Sequence, residues 1–319
     1  MTQESLSALS QLLHALTSHD NLSRASAEDT LEQSWVLKAP GELLVGLATL
    51  LTMDPQVSIR SFAPILLRRI ALQPASQSDI PLLSTLPLAQ TNLIQEHLLK
   101  SLLHEQEHSV RHKLCFTISD FARHWGDQWP GLLPVLYSTL QSPQASLREA
   151  GFSILGSEPL LLEKSPAAGD ILLKGLQDAH VDVRLAAVKA TANFLMETEP
   201  EVRDRLAGFV PEMIKTLPPI LAQGDREDAI IDSLSYLIEL AENFPKMYRP
   251  VLSQLIPFMA EIMANETLEN CIVCTISLLS NTTYILGIVA HLDRNGARDD
   301  AQAIEFRFFR RSYPFGMDA

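Results

Sequence analysis

An arginine recurs at the head of five apolar, helix-patterned segments, and its spacing constrains the fold more than any other feature of the chain. The segments are VSIRSFAPILLRRIAL (57–72), VRHKLCFTISDFAR (110–123), LREAGFSILGS (147–157), VRLAAVKATANFL (183–195) and DREDAIIDSLSYLIELAENF (225–244). Their arginines, Arg60, Arg111, Arg148, Arg184 and Arg226, stand 51, 37, 36 and 42 residues apart. One helix needs far fewer residues than that interval. Two antiparallel helices and their turns fill it, which is the period of HEAT-type helix pairs.

The partner helix is present before each of these segments. Residues 41–51, 92–103, 131–140, 169–176 and 206–221 place Leu, Ile or Val at helical spacing, giving each stretch one apolar stripe. These are the A helices, and the arginine-led segments are the B helices. Short polar breaks join A to B at 53–56, 105–109, 141–146 and 177–182, where Asp54, Ser109, Ser146 and Asp182 are candidate caps for the following helix. The opening residues add a sixth pair, with Leu6, Leu9, Leu12, Leu13 and Leu16 on one stripe and a second helix running from Asn21 through Leu31 to Trp35. Residues 250–263 read as a seventh A helix whose partner does not follow. Leu and Ala carry most of the 46% hydrophobic content and aromatics make up 6%, a composition suited to helix packed on helix. The expected fold is therefore all-α, a right-handed HEAT-repeat solenoid of six pairs plus a lone helix.

The repeats are expected to occupy residues 1–268, with an atypical tail over 269–319. Within the tail, residues 271–290 (CIVCTISLLSNTTYILGIVA) are long enough to cross a membrane. Thr275, Ser277, Ser280, Asn281, Thr282 and Thr283 argue against that, leaving an irregular cover for the solenoid end or an altered reading frame. A formal net charge of −13 repels phosphate backbones and anionic lipid and favours basic partners. Three cysteines are too few for a disulfide framework, and the first residues lack a basic region ahead of their apolar ones. Cytosol or nucleus is the expected compartment.

Several local patterns mimic catalytic motifs. His104-Glu105-Gln106-Glu107-His108 is a literal HExxH, which on one helix would turn two imidazoles toward a zinc ion with Glu105 as general base. Here it spans the end of an A helix, a polar break and the start of a B helix. Cys271 and Cys274 form a CxxC with no second pair, and Asn281-Thr282-Thr283 is a glycosylation sequon without a secretory context. Neither a glycine-rich phosphate loop nor a nucleophile elbow is found. No enzyme, metal or cofactor is expected, and the repeat arginines are read as structural, each pairing with an Asp or carbonyl of the neighbouring repeat.

Four stretches together resemble one family. They are Asn21-Leu22-Ser23-Arg24-Ala25-Ser26-Ala27-Glu28; Ser61 through Arg69; Val110-Arg111-His112-Lys113 followed by Trp129-Pro130-Gly131-Leu132-Leu133-Pro134; and Pro211-Glu212-Met213 through Ala241-Glu242-Asn243-Phe244-Pro245. These resemble the importin-beta (karyopherin-beta) receptors, in particular the amino-terminal part of the importin beta-3 branch. The resemblance implies a nuclear transport receptor that shuttles between cytoplasm and nucleus, binds GTP-bound Ran, and meets basic protein cargo and nuclear pore proteins. By position it further implies Ran contacts at Glu28, Glu32, Trp35, Arg68, Arg69, Asp120 and Arg123. The competing expectation is a HEAT-repeat scaffold that holds a protein complex together without Ran.

Overall fold

The computed structural model describes residues 2–74, 79–221 and 227–264, together with Leu278. Two compact units are present, Met1–Leu161 and Leu162–Ala319. The first holds α1 (Gln3–Leu16), α2 (Asn21–Thr30), α3 (Pro40–Met53), α4 (Val57–Ala71), α5 (Leu88–His104), α6 (His108–Trp125), α7 (Leu132–Leu140) and α8 (Ala145–Ser157). The second holds α9 (Ala168–Leu176), α10 (Val181–Glu197), α11 (Pro200–Arg205), α12 (Phe209–Lys215), α13 (Pro218–Leu221), α14 (Glu227–Asn243) and α15 (Leu252–Ala264). No strand occurs among the described residues, and no single helix among them is long and apolar enough to cross a membrane.

Each unit is built in two layers. In the first unit α3 packs on α1 and α5, and α5 on α7, forming the A layer, while α6 packs between α4 and α8 in the B layer. In the second unit α9 lies on α10, and α10 on α14. The apolar stripes meet between the layers: Leu9, Leu13, Leu43, Leu47, Leu51, Ile59, Leu67, Ile94, Leu98, Leu114 and Ile118 are all at 0–1% exposure. Burying a side chain of this size is worth about 1.5–3 kcal/mol, so the stripes hold the pairs together far more strongly than any helix holds itself. All-α HEAT-type pairing is thus the architecture of both units.

Local chemistry sets the helix ends. Asp20 caps α2 by accepting the amides of Leu22 (3.4 Å) and Ser23 (2.9 Å), and those bonds hold its carboxyl below the usual range. The second helix does not run on to Trp35 as an α-helix. It widens to a π-turn over Leu31–Val36, in which the Leu37 amide reaches the Glu32 carbonyl at 3.0 Å. The 51-residue arginine spacing reflects an inserted connection between α4 and α5, pinned by the Leu82 amide on the Gln73 carbonyl (2.9 Å) and by buried Leu83.

One expected A helix is in pieces. Residues 206–221 break into α12 and α13, because Pro218 and Pro219 have no amide to donate and the ring of Pro218 disfavours helical geometry at Leu217. The short α11 precedes them, accounting for part of the 42-residue spacing. Expectations for Arg226, Cys271, Cys274, the sequon and the tail over 269–319 fall outside the described residues, Leu278 excepted.

The end of α6 depends on glycine. Gly126 stops the helix at φ +50° and ψ −126°, and a Cβ built there would meet nothing within 4 Å. Gly126→Ala should therefore cost about 1–3 kcal/mol purely through the backbone, with no packing change. Chemical denaturation checks this; a neutral result would mean that the turn relaxes freely.

Candidate functional site

The A–B turns share one hydrogen-bond plan. Arg60 Nη1 donates to the carbonyls of Asp54 (3.0 Å) and Pro55 (3.1 Å), and Arg111 Nη1 to those of Glu105 (3.0 Å) and Gln106 (3.3 Å). Arg148 Nη1 donates to Ser142 (2.8 Å) and Pro143 (3.0 Å), and Arg184 Nη1 to Asp178 (2.7 Å) and Ala179 (3.1 Å). Each arginine thus closes its own turn, five and six residues back, and Arg60 in addition takes a partner from the neighbouring repeat, Glu105, as expected. The clamped carbonyls are the orphans that follow the A helix, and a charged donor satisfies them more strongly than a neutral one.

The residue six positions before each arginine completes the plan. Asp54, Glu105 and Asp178 accept the amides of Gln56, Glu107 and His180, each at 2.9 Å, and Ser142 accepts that of Gln144 at 3.2 Å. The capping expectation is corrected accordingly. Gln56, Glu107, Gln144 and His180 occupy the N-cap positions, whereas Ser109, Ser146 and Asp182 are each the second residue of a helix. Asp54 works as a turn residue and also accepts from Ser10 Oγ at 2.6 Å.

This plan disposes of the HExxH geometry. His104 ends α5 with Nδ1 at 2.8 Å from the Lys100 carbonyl, while His108 opens α6 with Nε2 at 2.9 Å from Glu149 Oε1. Glu105 is occupied by Arg60, whose Nε and Nη2 reach it at 2.8 and 3.3 Å. Among the described residues no group of three metal-ligating side chains converges.

The B layer of the first unit is stitched in a fixed register. From α6 to α4, Lys113 Nζ donates to Ser61 Oγ, Thr117 Oγ1 to the Pro64 carbonyl at 3.1 Å, and Asp120 Oδ2 lies 3.5 Å from Arg68 Nη1. From α6 to α8, Cys115 Sγ donates to the Ala150 carbonyl (3.6 Å) and Ser119 Oγ to that of Ile154 (3.3 Å). Arg123 then binds Glu158 with Nε at 2.7 Å and the Ser157 carbonyl with Nη2 at 2.7 Å. Positions 115, 119 and 123 lie one turn apart on one face of α6, and each meets a residue exactly one register of 35 positions later or its neighbour. Burial pushes the Cys115 thiol up to about 12, so it serves as a small packing group and not as a nucleophile.

The seven positions singled out by the resemblance divide into two groups. Arg68, Asp120 and Arg123 join, through Asp120 to Arg123 at 3.6 Å, into a chain of ion pairs that ends on Glu158. Arg69 is exposed beside Arg68 in the last turn of α4. Glu28 and Glu32 are exposed and Trp35 is half-buried, on α2 and the π-turn that extends it. Glu158 is the member sequence reasoning missed: it lies just past the end of α8, with no motif of its own, and only the register of α8 against α6 brings it to Arg123.

Known proteins share this helical fold. A family model described as IPO5-like, TPR repeats, matches residues 106–258. Importin subunit beta-3 of Saccharomyces cerevisiae is 30% identical over 271 residues, 82% of this chain and 24% of that protein. The Probable importin-5 homolog of Dictyostelium discoideum is 22% identical over 83% of this chain and 25% of its own length. Crystal structures of Kap121p align at 28% identity, one alone (TM-score 0.77, 89% of this chain, 27% of that one) and one bound to RanGTP (TM-score 0.75, 88% and 26%). Kap121p has likewise been crystallised bound to Pho4p and to Nup53p. The chain spans about a quarter of the length of these relatives. Sequence match and shared helix pairing agree: this chain belongs to the importin-beta family, on its importin beta-3 side.

Proposed function

We propose that this chain is the Ran-facing part of a nuclear transport receptor, which binds Ran in its GTP form and takes protein cargo through the nuclear pore between cytoplasm and nucleus. The observation that carries the reading is its 28% identity, over 88% of its length, to Kap121p in complex with RanGTP. Importins are receptors and not enzymes, in keeping with a surface built from turn clamps and ion pairs. Glu28, Glu32, Trp35, Arg68, Arg69, Asp120 and Arg123 are the proposed Ran contacts, all on B helices or their extensions. Basic cargo and pore proteins complete the set of proposed partners, favoured by the net charge of −13.

Arg68, Asp120 and Arg123 already satisfy one another, so a partner docking there gains little from each ion pair alone. Exposed Glu28, Glu32 and Arg69 are the better probes. Immobilised chain should retain Ran loaded with GTP and not Ran loaded with GDP, and the variant E28K/E32K should weaken GTP-Ran binding by roughly tenfold, about 1.4 kcal/mol. A receptor must couple affinity to nucleotide state. Equal or absent binding of both forms would overturn the proposal in favour of a HEAT-repeat scaffold.

A further inference from the structure

Five turns share the clamp, because Arg24 Nη1 also donates to the Ser18 carbonyl at 3.2 Å while Ser18 Oγ accepts the Asp20 amide at 3.1 Å. Asp54, Glu105 and Asp178 present a carboxylate to the amide two residues on, whereas Ser18 and Ser142 present a neutral hydroxyl, at 3.1 and 3.2 Å, and of these two serines Ser142 is the one followed by proline. Pro143 follows immediately, making Ser142-Pro143 the minimal recognition dipeptide of proline-directed kinases. Ser142 is half-buried and its neighbours Gln141, Pro143 and Gln144 are exposed, so the turn is open to solvent. Arg148 Nη1 donates to the carbonyls of both Ser142 and Pro143, which brings a guanidinium to the same turn.

We propose that Ser142 is a phosphorylation site for a proline-directed serine kinase, and that the phosphate supplies the anion which the Asp54, Glu105 and Asp178 turns carry permanently. The Ser142 hydroxyl oxygen attacks the γ-phosphorus of ATP; the new O–P bond forms as the bond to the bridging oxygen breaks, ADP departs, and the hydroxyl proton passes to the kinase base. The product carries a charge of about −1.5 to −2 at pH 7. It lies in the turn two residues before the N-cap of the 13-residue α8, the turn that Arg148 clamps, and a helix N-terminus and a guanidinium both favour negative charge. Modification at this position therefore tightens the α7–α8 turn instead of opening it. This goes beyond the transport reading and does not depend on it.

Ser165-Pro166 is the other Ser-Pro in the chain, and the residue six positions later is Ile171 in place of an arginine. The 319-residue chain carrying S165A keeps Ser142 as its single Ser-Pro target. Incubated with ATP, Mg²⁺ and a cyclin-dependent kinase, it should gain one phosphate, mapped to Ser142 by tandem mass spectrometry, and melt about 2–4 °C higher. R148Q, compared with and without phosphate, should lose that increment. S142E, which restores a carboxylate without any kinase, should raise the melting point of the unmodified chain. Failure to label folded protein under conditions that label a peptide spanning 137–148 overturns the proposal, as does a phosphorylated chain that melts at or below the unmodified one.

Discussion

Phe121→Ala should lower the stability of the first unit by about 3–5 kcal/mol, among the largest effects of any single substitution. Phe121 is fully buried on α6 and meets Trp125 edge-on at 5.2 Å; Trp125 in turn meets Trp129 at 5.1 Å, nearly perpendicular. Truncation removes the transfer energy of the ring, leaves a cavity beside the Trp125 indole, and breaks one of the two aromatic contacts in this row. The ring also sits in the chain between Asp120 and Arg123, so the same cavity should loosen the ion pairs that α6 makes with α4 and α8. Urea denaturation should show a lower midpoint at unchanged slope. A loss under about 1.5 kcal/mol would mean that the helices close over the gap. Phe121→Leu, which keeps most of the volume, should cost less than half as much.

The helix pairs were legible because the physics that stacks them is periodic. An apolar stripe every three or four residues, and an arginine at every B-helix head, survive in the sequence whatever the neighbours do. The carbonyls that Arg60, Arg111, Arg148 and Arg184 take within their own turns leave no trace in the sequence, for a definite reason. Asp54, Glu105, Ser142 and Asp178 each stand six residues before an arginine, a spacing visible in the text, but backbone carbonyls carry no residue identity and so leave no signal of their own. The split of the sixth A helix is hidden in the sequence because Leu217, Ile220 and Leu221 keep the apolar rhythm across Pro218 and Pro219. In the candidate site, Asp120 and Arg123 could be paired from their i,i+3 spacing. Arg68 and Glu158 could not, since they depend on how far one B helix slides against the next, set by contacts such as Thr117 on Pro64 and Ser119 on Ile154.

Arg60 joins the two themes, because it clamps its own turn and also reaches Glu105 in the next. The carboxylate side chain is 4% exposed and the guanidinium 18%. Burial alone would raise the Glu105 carboxyl, but the Arg60 hydrogen bond and the amides of Glu107 and Gln106 outweigh it, leaving the group below its ordinary 4.5. A carboxyl depressed in the folded state contributes stability above its unfolded value and loses it as pH falls through the folded one. Arg60→Ala removes the main depressing group and leaves a buried carboxylate facing only two amides, at a cost of about 3 kcal/mol at pH 7. The lost bonds to the Asp54 and Pro55 carbonyls account for about 1 kcal/mol of this and do not titrate. The gap between wild type and Arg60→Ala should therefore narrow as pH is lowered from 7 toward 3, to the roughly 1 kcal/mol of the carbonyl clamp. Denaturation at a series of pH values measures it. A gap that stays constant would assign the whole effect to the carbonyls and leave the ion pair with no net contribution, whereas a narrowing gap that disappears in the Glu105→Gln background would assign the titrating part to this one carboxylate.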